Sequence, residues 1–319
     1  MSPTRRDFIT LGVGALAAAS LPVGLRRRDK LIRRRIPVMG TIAEVAVRHR
    51  DEAWAQRGID AAFAELRRVD RTMTRFRADS DVGRINGAAG RSPVRVSEDT
   101  AAVLAAALAW AEVSEGRFDP CLGRAVELWD VGERTAPPER ERLRALGAGG
   151  LFRALEVDGV VARLHVAEAA VDLGGIAKGF GVDLASRALV GQGIFHALVN
   201  VGGDLVALGW DEDGKPWRIG VRSPDEPDSI IEVLEVSDRA VATSGDYLQY
   251  FEHGGRRYHH LLDAATGEPR QTPMRSLTVE AATCLEADAA ATALFGAPAD
   301  VARTVLEKGS PGASIVHSA

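Results

Sequence analysis

The chain has 319 residues, 46% of them hydrophobic and 26% charged, with a formal net charge of -4; this excludes disordered, collagen-like and small disulfide-stapled classes. A chain of this length can bury a sizeable core, and a pI near 6.0 argues against a dedicated nucleic-acid binder. The total hides an asymmetry. Residues 1–35 hold nine Lys and Arg against Asp7 and Asp29, so the rest of the chain carries 31 basic and 42 acidic residues, a net of -11.

Thr4-Arg5-Arg6-Asp7-Phe8-Ile9, an apolar run from Leu11 to Leu21 and the small residues Ala17, Ala18 and Ala19 have the layout of a twin-arginine export signal. The run is too short and too interrupted to span a bilayer comfortably, although a retained N-terminal anchor is the alternative. Arg26 to Arg35 reads as a solvated linker. The expected organisation is a leader at 1–35 and one domain at 36–319, exported to the periplasm or cell envelope, with membrane association left open. Cys121 and Cys284 fit no metal or dithiol spacing and read as free buried thiols.

From Ile36 to His49 the pattern is strand-like. Asp51 then caps an amphipathic helix to about Arg71, with Ala53, Ile59, Phe63, Leu66 and Val69 at helical spacing. Ser97 opens an alanine-rich helix closed by Gly116, and Arg134 to Arg144 reads as a surface loop with a short helix. Leu155 to Val166 around Asp158-Gly159 is a hairpin signal, and Ala170 to Leu173 a short strand. A helix is expected from Ile176 to Val190. Strands follow at 196–201, 205–209, 217–221, 231–236, 247–251, 257–262 and 276–281, and a last helix at 284–295. Hairpin-like strands and separate helical blocks favour an α+β fold, with mixed or antiparallel sheets and helices packed around them.

Rossmann, P-loop, nucleophile-elbow and zincin motifs are all missing. Asp172-Leu173-Gly174-Gly175 leads into a helix whose first amides suit an anion such as phosphate, and Lys178 is the sole lysine between Lys30 and Lys215. A glycine-rich turn with a surface lysine is an equal alternative. Asp288 and Thr292 share one helix face at i, i+4 and offer hard oxygen ligands suited to Mg2+; taken alone, such a pair is more often a solvated face. His260, in the run Arg257-Tyr258-His259-His260-Leu261-Leu262-Asp263, is a candidate proton shuttle or a half-buried structural histidine. Thr243-Ser244-Gly245-Asp246 reads as a polar turn.

In their order these pieces resemble the ApbE family, the FAD:protein FMN transferases. The resemblance runs from Met39-Gly40-Thr41 through TMTRFRADSDVGRIN at 72–86, RFDPCLGRAVELWDVG at 117–132, VDLGGIAKGFGVD at 171–183, ALVNVGGDLVALG at 197–209, AVATSGDYLQYF at 240–251 and RYHHLLDAATGEP at 257–269 to TVEAATCLEADAAATALFG at 278–296. It implies that Met39, Phe76, Phe118, Asp119, Asp172, Lys178 and His260 contact FAD. It also implies that Mg2+ is held by Asp288, Thr292 and the carbonyl of Gly175, that His260 assists the transfer, and that Asn86 occupies a position linked with competing FAD hydrolysis. Cys121, Ala264 and Ala265 depart from the family's usual threonine, proline and arginine, and the last change removes a charge from the nucleotide end.

The activity so implied is transfer of the FMN moiety of FAD to a Ser or Thr hydroxyl of an acceptor protein, a membrane or periplasmic redox protein, with release of AMP. Mg2+ stabilises the leaving group, Asp288 and His260 are the expected catalytic residues, and no nucleic acid is involved. The alternatives are hydrolysis of FAD to FMN and AMP at the same site, and FAD binding without turnover.

Overall fold

Seven antiparallel strands stand side by side in one sheet in the order in which the chain makes them: β1 (Lys30–Val38), β2 (Thr41–His49), β3 (Ala197–Val201), β4 (Asp204–Leu208), β5 (Arg239–Gly245), β6 (Ser276–Ala281) and β7 (Ser314–Ser318). This computed structural model describes residues 8–9, 16–19, 30–146, 149–226, 228–247 and 249–319. Alternation along the strands gives the sheet two apolar faces. Val45, Val47, Val199, Val201, Val206 and Ala242 lie under helices, while Ala46, Leu198, Leu205, Ala207 and Val241 pack on the ribbon Trp217–Arg222/Ile230–Val236. Burial on both sides explains why runs such as ALVNV and DLVAL show no polar stripe.

The described residues form eight helices: α1 (Glu52–Met73), α2 (Asp81–Ala88), α3 (Glu98–Val113), α4 (Gly123–Trp129), α5 (Arg140–Ala145), α6 (Ala177–Gly191), α7 (Cys284–Leu294) and α8 (Ala299–Gly309). Helices α1, α6 and α7 cover one sheet face. The other face of α7 joins α3, α8 and the small sheet Val94–Arg95, Leu155–Asp158, Val161–Leu164 in a second core. Ser97 caps α3 through the Thr100 amide at 3.2 Å, and Asp51 caps α1 through the Trp54 amide at 2.9 Å, as the sequence leads one to expect.

Helices α6 and α7 cross so closely that a Cβ on Gly179 would lie 2.2 Å from the Cys284 carbonyl oxygen. They also cap each other. The Asp288 carboxylate of α7 accepts the Gly179 amide at 3.0 Å, and Asp183 of α6 accepts the Cys284 and Leu285 amides at 2.8 and 3.0 Å. Each helix thereby satisfies orphan donors at the start of the other.

The α+β architecture stands as expected, with several local differences. The segment 36–49 is not one strand: Met39 and Gly40 turn at φ 53° and 71°, a two-residue hairpin in which both central residues are left-handed, and nothing about a methionine signals that conformation. Its first strand begins at Lys30, so Lys30 to Arg35 belong to the sheet edge and not to a linker. Arg34 there lies over Phe63 and pairs with Asp60 at 2.6 Å. Ala53 is exposed and Ala55 takes the buried place in α1. Ala170 to Leu173 makes a single bridge, Leu122 to Ala170, and no strand. Thr243 to Gly245 is no turn but the end of β5, where Thr243 and Thr278 share a hydroxyl hydrogen bond of 2.8 Å. The expected export signal lies largely outside the described residues. Within it, Phe8–Ile9 and Leu16–Ala19 are strands, the second pairing with Trp217–Arg222. Cys121 and Cys284 are free and buried, as expected.

Candidate active site

The start of α6 gathers the charged side chains. At the second residue of the helix, the Lys178 ammonium pairs with Asp204 and lies 3.3 Å from Asp288 Oδ1. Asp204 and Asp288 are almost wholly buried, at 1% and 3% exposure, so neither carboxylate has water as an alternative partner. Burial alone would lower the ammonium's pKa, but the two carboxylates raise it and hold it charged. Burial and the neighbouring Asp288 push the Asp204 carboxyl up, while Lys178 and the Thr243 amide pull it back toward the ionised form.

Asp204 is the first residue of β4. It follows Gly202 and Gly203, which turn at φ 63° and 107°, and a Cβ on Gly202 would come within 2.9 Å of Thr41. That turn is tight enough to place the carboxylate under α6.

Thr292 lies one turn beyond Asp288. Its hydroxyl faces Gly175, where a Cβ would lie 2.8 Å from Thr292 Cγ2 and 2.9 Å from Oγ1, so only glycine admits this approach. Asp288 Oδ1, the Thr292 hydroxyl and the main chain at Gly175 thus form an oxygen-only set beside a buried anionic pair. Hard divalent cations that keep waters or substrate phosphates prefer such donors. The ammonium on Asp288 Oδ1 already shows that the spot accepts positive charge. Among the described residues no three His, Cys, Asp or Glu side chains form a metal-sized group, so a cation here would complete its shell with hydroxyl, carbonyl and ligand oxygens.

Arg270 fixes the far end of α7. Its buried guanidinium donates to the carbonyls of Thr292 (2.7 Å), Phe295 (2.9 Å), Leu262 (3.1 Å) and Arg117, and burial pushes its pKa down to about 10. It ties Thr292 to the segment that carries the histidines. His259 is buried, donates from Nε2 to the Arg270 carbonyl at 3.0 Å and accepts the Leu261 amide on Nδ1 at 3.2 Å. His260 is the chemically available one. Its Nδ1 sits 3.4 Å from the Gln249 carbonyl, which can only accept, so Nδ1 carries the proton and Nε2 keeps its lone pair. Burial pushes its pKa down to about 4, with the positive charge of Lys178 among the causes.

The remaining candidates divide into two groups. Asp172 caps the glycine turn, accepting the Gly174 amide at 2.7 Å, and pairs with Arg75 at 2.8 Å. Arg75 in turn lies 4.2 Å from the Phe76 ring centre, and Phe76 is 80% exposed, an aromatic face open to a planar ligand. Met39 approaches α6 at Gly181, one turn beyond Lys178. Asn86 clamps the strand-like segment before Asp172 by two bonds to Val171, at 2.9 and 2.7 Å. These residues cluster around the α6 entrance.

Phe118 and Asp119 do not present side chains there. Phe118 is in the core, and the Asp119 carboxylate accepts the Cys121 and Phe152 amides at 2.9 and 3.2 Å, with its pKa raised by burial. Their main chain, however, runs beside the 170–172 segment through the bond from the Asp172 amide to the Pro120 carbonyl, 2.8 Å. Ala265 lies on the exposed turn organised by Asp263, which accepts its amide at 2.7 Å. A cavity of about 750 Å3 lined by Leu108, Glu112, Phe152 and Arg153 shares no residue with this constellation.

Asp204, Arg75 and Arg270 are the residues that motif reading missed. Asp204 ends the Gly-Gly-Asp turn, and an acid after a glycine pair at a strand start was its available signal.

The family model of ApbE matches residues 39–316. The chain belongs to the ApbE family. A curated FAD:protein FMN transferase of Vibrio cholerae is 35% identical over 289 residues, 88% of this chain and 86% of that protein. One of Treponema pallidum is 34% identical over 290 residues, 85% of this chain and 80% of that protein. Among solved structures, the ApbE protein of Thermotoga maritima superposes with a TM-score of 0.80 at 32% identity, covering 90% of this chain and 94% of that one. The flavin transferase ApbE of Vibrio cholerae gives 0.77 at 32%, covering 88% and 91%, and a histidine-to-glycine variant of it has been solved as well.

Proposed function

We propose that this ApbE-family transferase moves the FMN moiety of FAD to a serine or threonine hydroxyl of an acceptor protein and releases AMP, with Mg2+ held at Asp288, Thr292 and the Gly175 carbonyl. The observation that carries this reading is the convergence of Lys178, Asp288, Thr292 and the side-chain-free Gly175 at the start of α6. Anion-receptive amides, a fixed cation and hard oxygen ligands meet there within one helical turn. When bound, Mg2+ would withdraw charge from phosphoryl oxygens and stabilise the departing phosphate.

The protein's own residues supply the rest. The glycine turn at the start of α6 positions the pyrophosphate, which a folded body of net charge -7 over residues 30–319 cannot attract by its overall field. Phe76, over Arg75, offers a stacking face for a planar ring, and Met39 an apolar contact. The hydroxyl oxygen of the acceptor forms its bond to the FMN phosphorus as the bond from that phosphorus to the bridging oxygen breaks, and AMP leaves. The hydroxyl proton passes to Nε2 of His260, whose neutral form carries the lone pair for it. The twin-arginine layout of residues 4–9 supports export, and membrane or periplasmic redox proteins are the acceptors that this reading proposes.

The test is incubation of the purified protein with FAD, Mg2+ and a candidate acceptor, followed by intact-mass spectrometry. An FMN-sized mass gain on the acceptor, matched by AMP, is expected. AMP release in water with no gain on any acceptor would replace transfer by hydrolysis, and bound, intact FAD would replace both by storage.

A further inference from the structure

Lys178 raises a physical difficulty for the metal reading, and Asp204 resolves it. Asp288 has two carboxylate oxygens. Oδ2 accepts the Gly179 amide at 3.0 Å, which leaves Oδ1 for a cation, and Oδ1 already faces the Lys178 ammonium at 3.3 Å. A lysine whose only counter-charge was Asp288 would close on that oxygen and compete with any divalent ion. The ammonium instead sits closer to Asp204 than to Asp288. Asp204, 1% exposed and set after the tight Gly202-Gly203 turn, cannot leave for water.

We propose that Asp204 is a positioning residue: it draws the Lys178 ammonium aside, so that Asp288 Oδ1 stays available to a divalent cation. The proposal rests on the metal assignment above and concerns a residue outside the ligand set. With Lys178, Asp204 and Asp288 all charged, the trio presents one net negative charge to an incoming cation. Losing the Asp204 charge makes it neutral and leaves the ammonium to Asp288. Losing the Lys178 charge makes it doubly negative and removes the competitor. Losing both restores one negative charge with Asp288 Oδ1 unopposed.

The test is Mn2+ binding to the FAD-free full chain, followed by electron paramagnetic resonance of the free ion, with thermal melting as the check on folding. Asp204→Asn should weaken Mn2+ binding about 10- to 100-fold, the range for loss of a partner that orients a metal ligand. Lys178→Gln should tighten it, an outcome readable even if Asp204→Asn folds poorly. The double variant should return to within about threefold of wild type, the non-additivity expected of groups in contact.

A double variant as weak as Asp204→Asn would make Asp204 a direct ligand and overturn the proposal. So would unchanged affinity in Asp204→Asn, or Lys178→Gln binding no tighter than wild type. Wild-type protein that binds no Mn2+, or Asp288→Asn that binds it as well as wild type, would instead overturn the metal assignment itself, and the proposal with it.

Discussion

The crossing of α6 and α7 sets a sharp expectation for Gly179→Ala. The new Cβ would meet the Cys284 carbonyl oxygen at 2.2 Å, its carbon at 2.6 Å and the Leu285 nitrogen at 2.8 Å. All three are main-chain atoms, so the helices themselves must part. Alanine gains about 1 kcal/mol over glycine in a helix interior, whereas overpacking a tight contact costs about 1–3 kcal/mol or more. Parting the helices also strains the reciprocal caps of Asp288 on Gly179 and of Asp183 on Cys284 and Leu285, each worth about 1 kcal/mol. A net loss of about 3 kcal/mol follows, or a fall in Tm of about 4–5 °C in a chain of this size. Gly191→Ala, at the other end of the same helix, meets nothing within 4 Å and should raise stability by about 0.5–1 kcal/mol. Urea and thermal unfolding of the two variants side by side measure both signs. A Gly179→Ala protein as stable as wild type would refute the close crossing.

Asp288→Asn should abolish Mg2+-dependent turnover while thermal melting still shows a folded chain, because asparagine keeps an oxygen for the Gly179 amide; retained turnover would move the metal elsewhere. His260→Ala should lower the transfer rate more than it weakens FAD binding, read as kcat against the FAD Kd, and an unchanged kcat would remove the histidine from proton transfer. Desolvation pushes the His260 pKa down to about 4 in the folded chain, from an ordinary value near 6.5, so the unfolded chain takes its proton first. Its contribution to stability is therefore complete above pH 6.5 and is lost progressively as pH drops toward 4; His260→Asn should flatten the slope of urea stability against pH across that window. Arg270→Met should cost about 3 kcal/mol or more, since it strands the carbonyls of Thr292, Phe295 and Leu262 in the interior; a stability change under 1 kcal/mol in urea would show that those bonds carry little.

What the sequence made legible follows from how local the deciding physics is. Asp51 and Ser97 announce their helices because an N-cap acts on its own next three residues, and Asp158-Gly159 announces its hairpin for the same reason. Asp288 and Thr292 were legible as a pair because the helix period alone puts them on one face. The same logic fails at β5, where Thr243 and Ser244 look like turn residues until β6 supplies Thr278 across the ladder. It fails at Met39 too, where the left-handed turn is held by the pairing of β1 with β2 and not by the residue's own preference.

Asp204 is the strongest case. Its neighbours in sequence describe only a strand start, and its partner Lys178 lies 26 residues away on α6. Asp288, the third member, is 110 residues from that lysine. The Gly179–Cys284 crossing, which depends on an absent Cβ, brings Lys178 to Asp288, and the Gly202-Gly203 turn brings Asp204 to both. A site built on helix crossings is therefore read from sequence one face at a time, and the contacts that decide its charge balance lie between the faces. For this reason Lys178 reads in sequence as a ligand of phosphate, and in three dimensions as a cation that two buried carboxylates share.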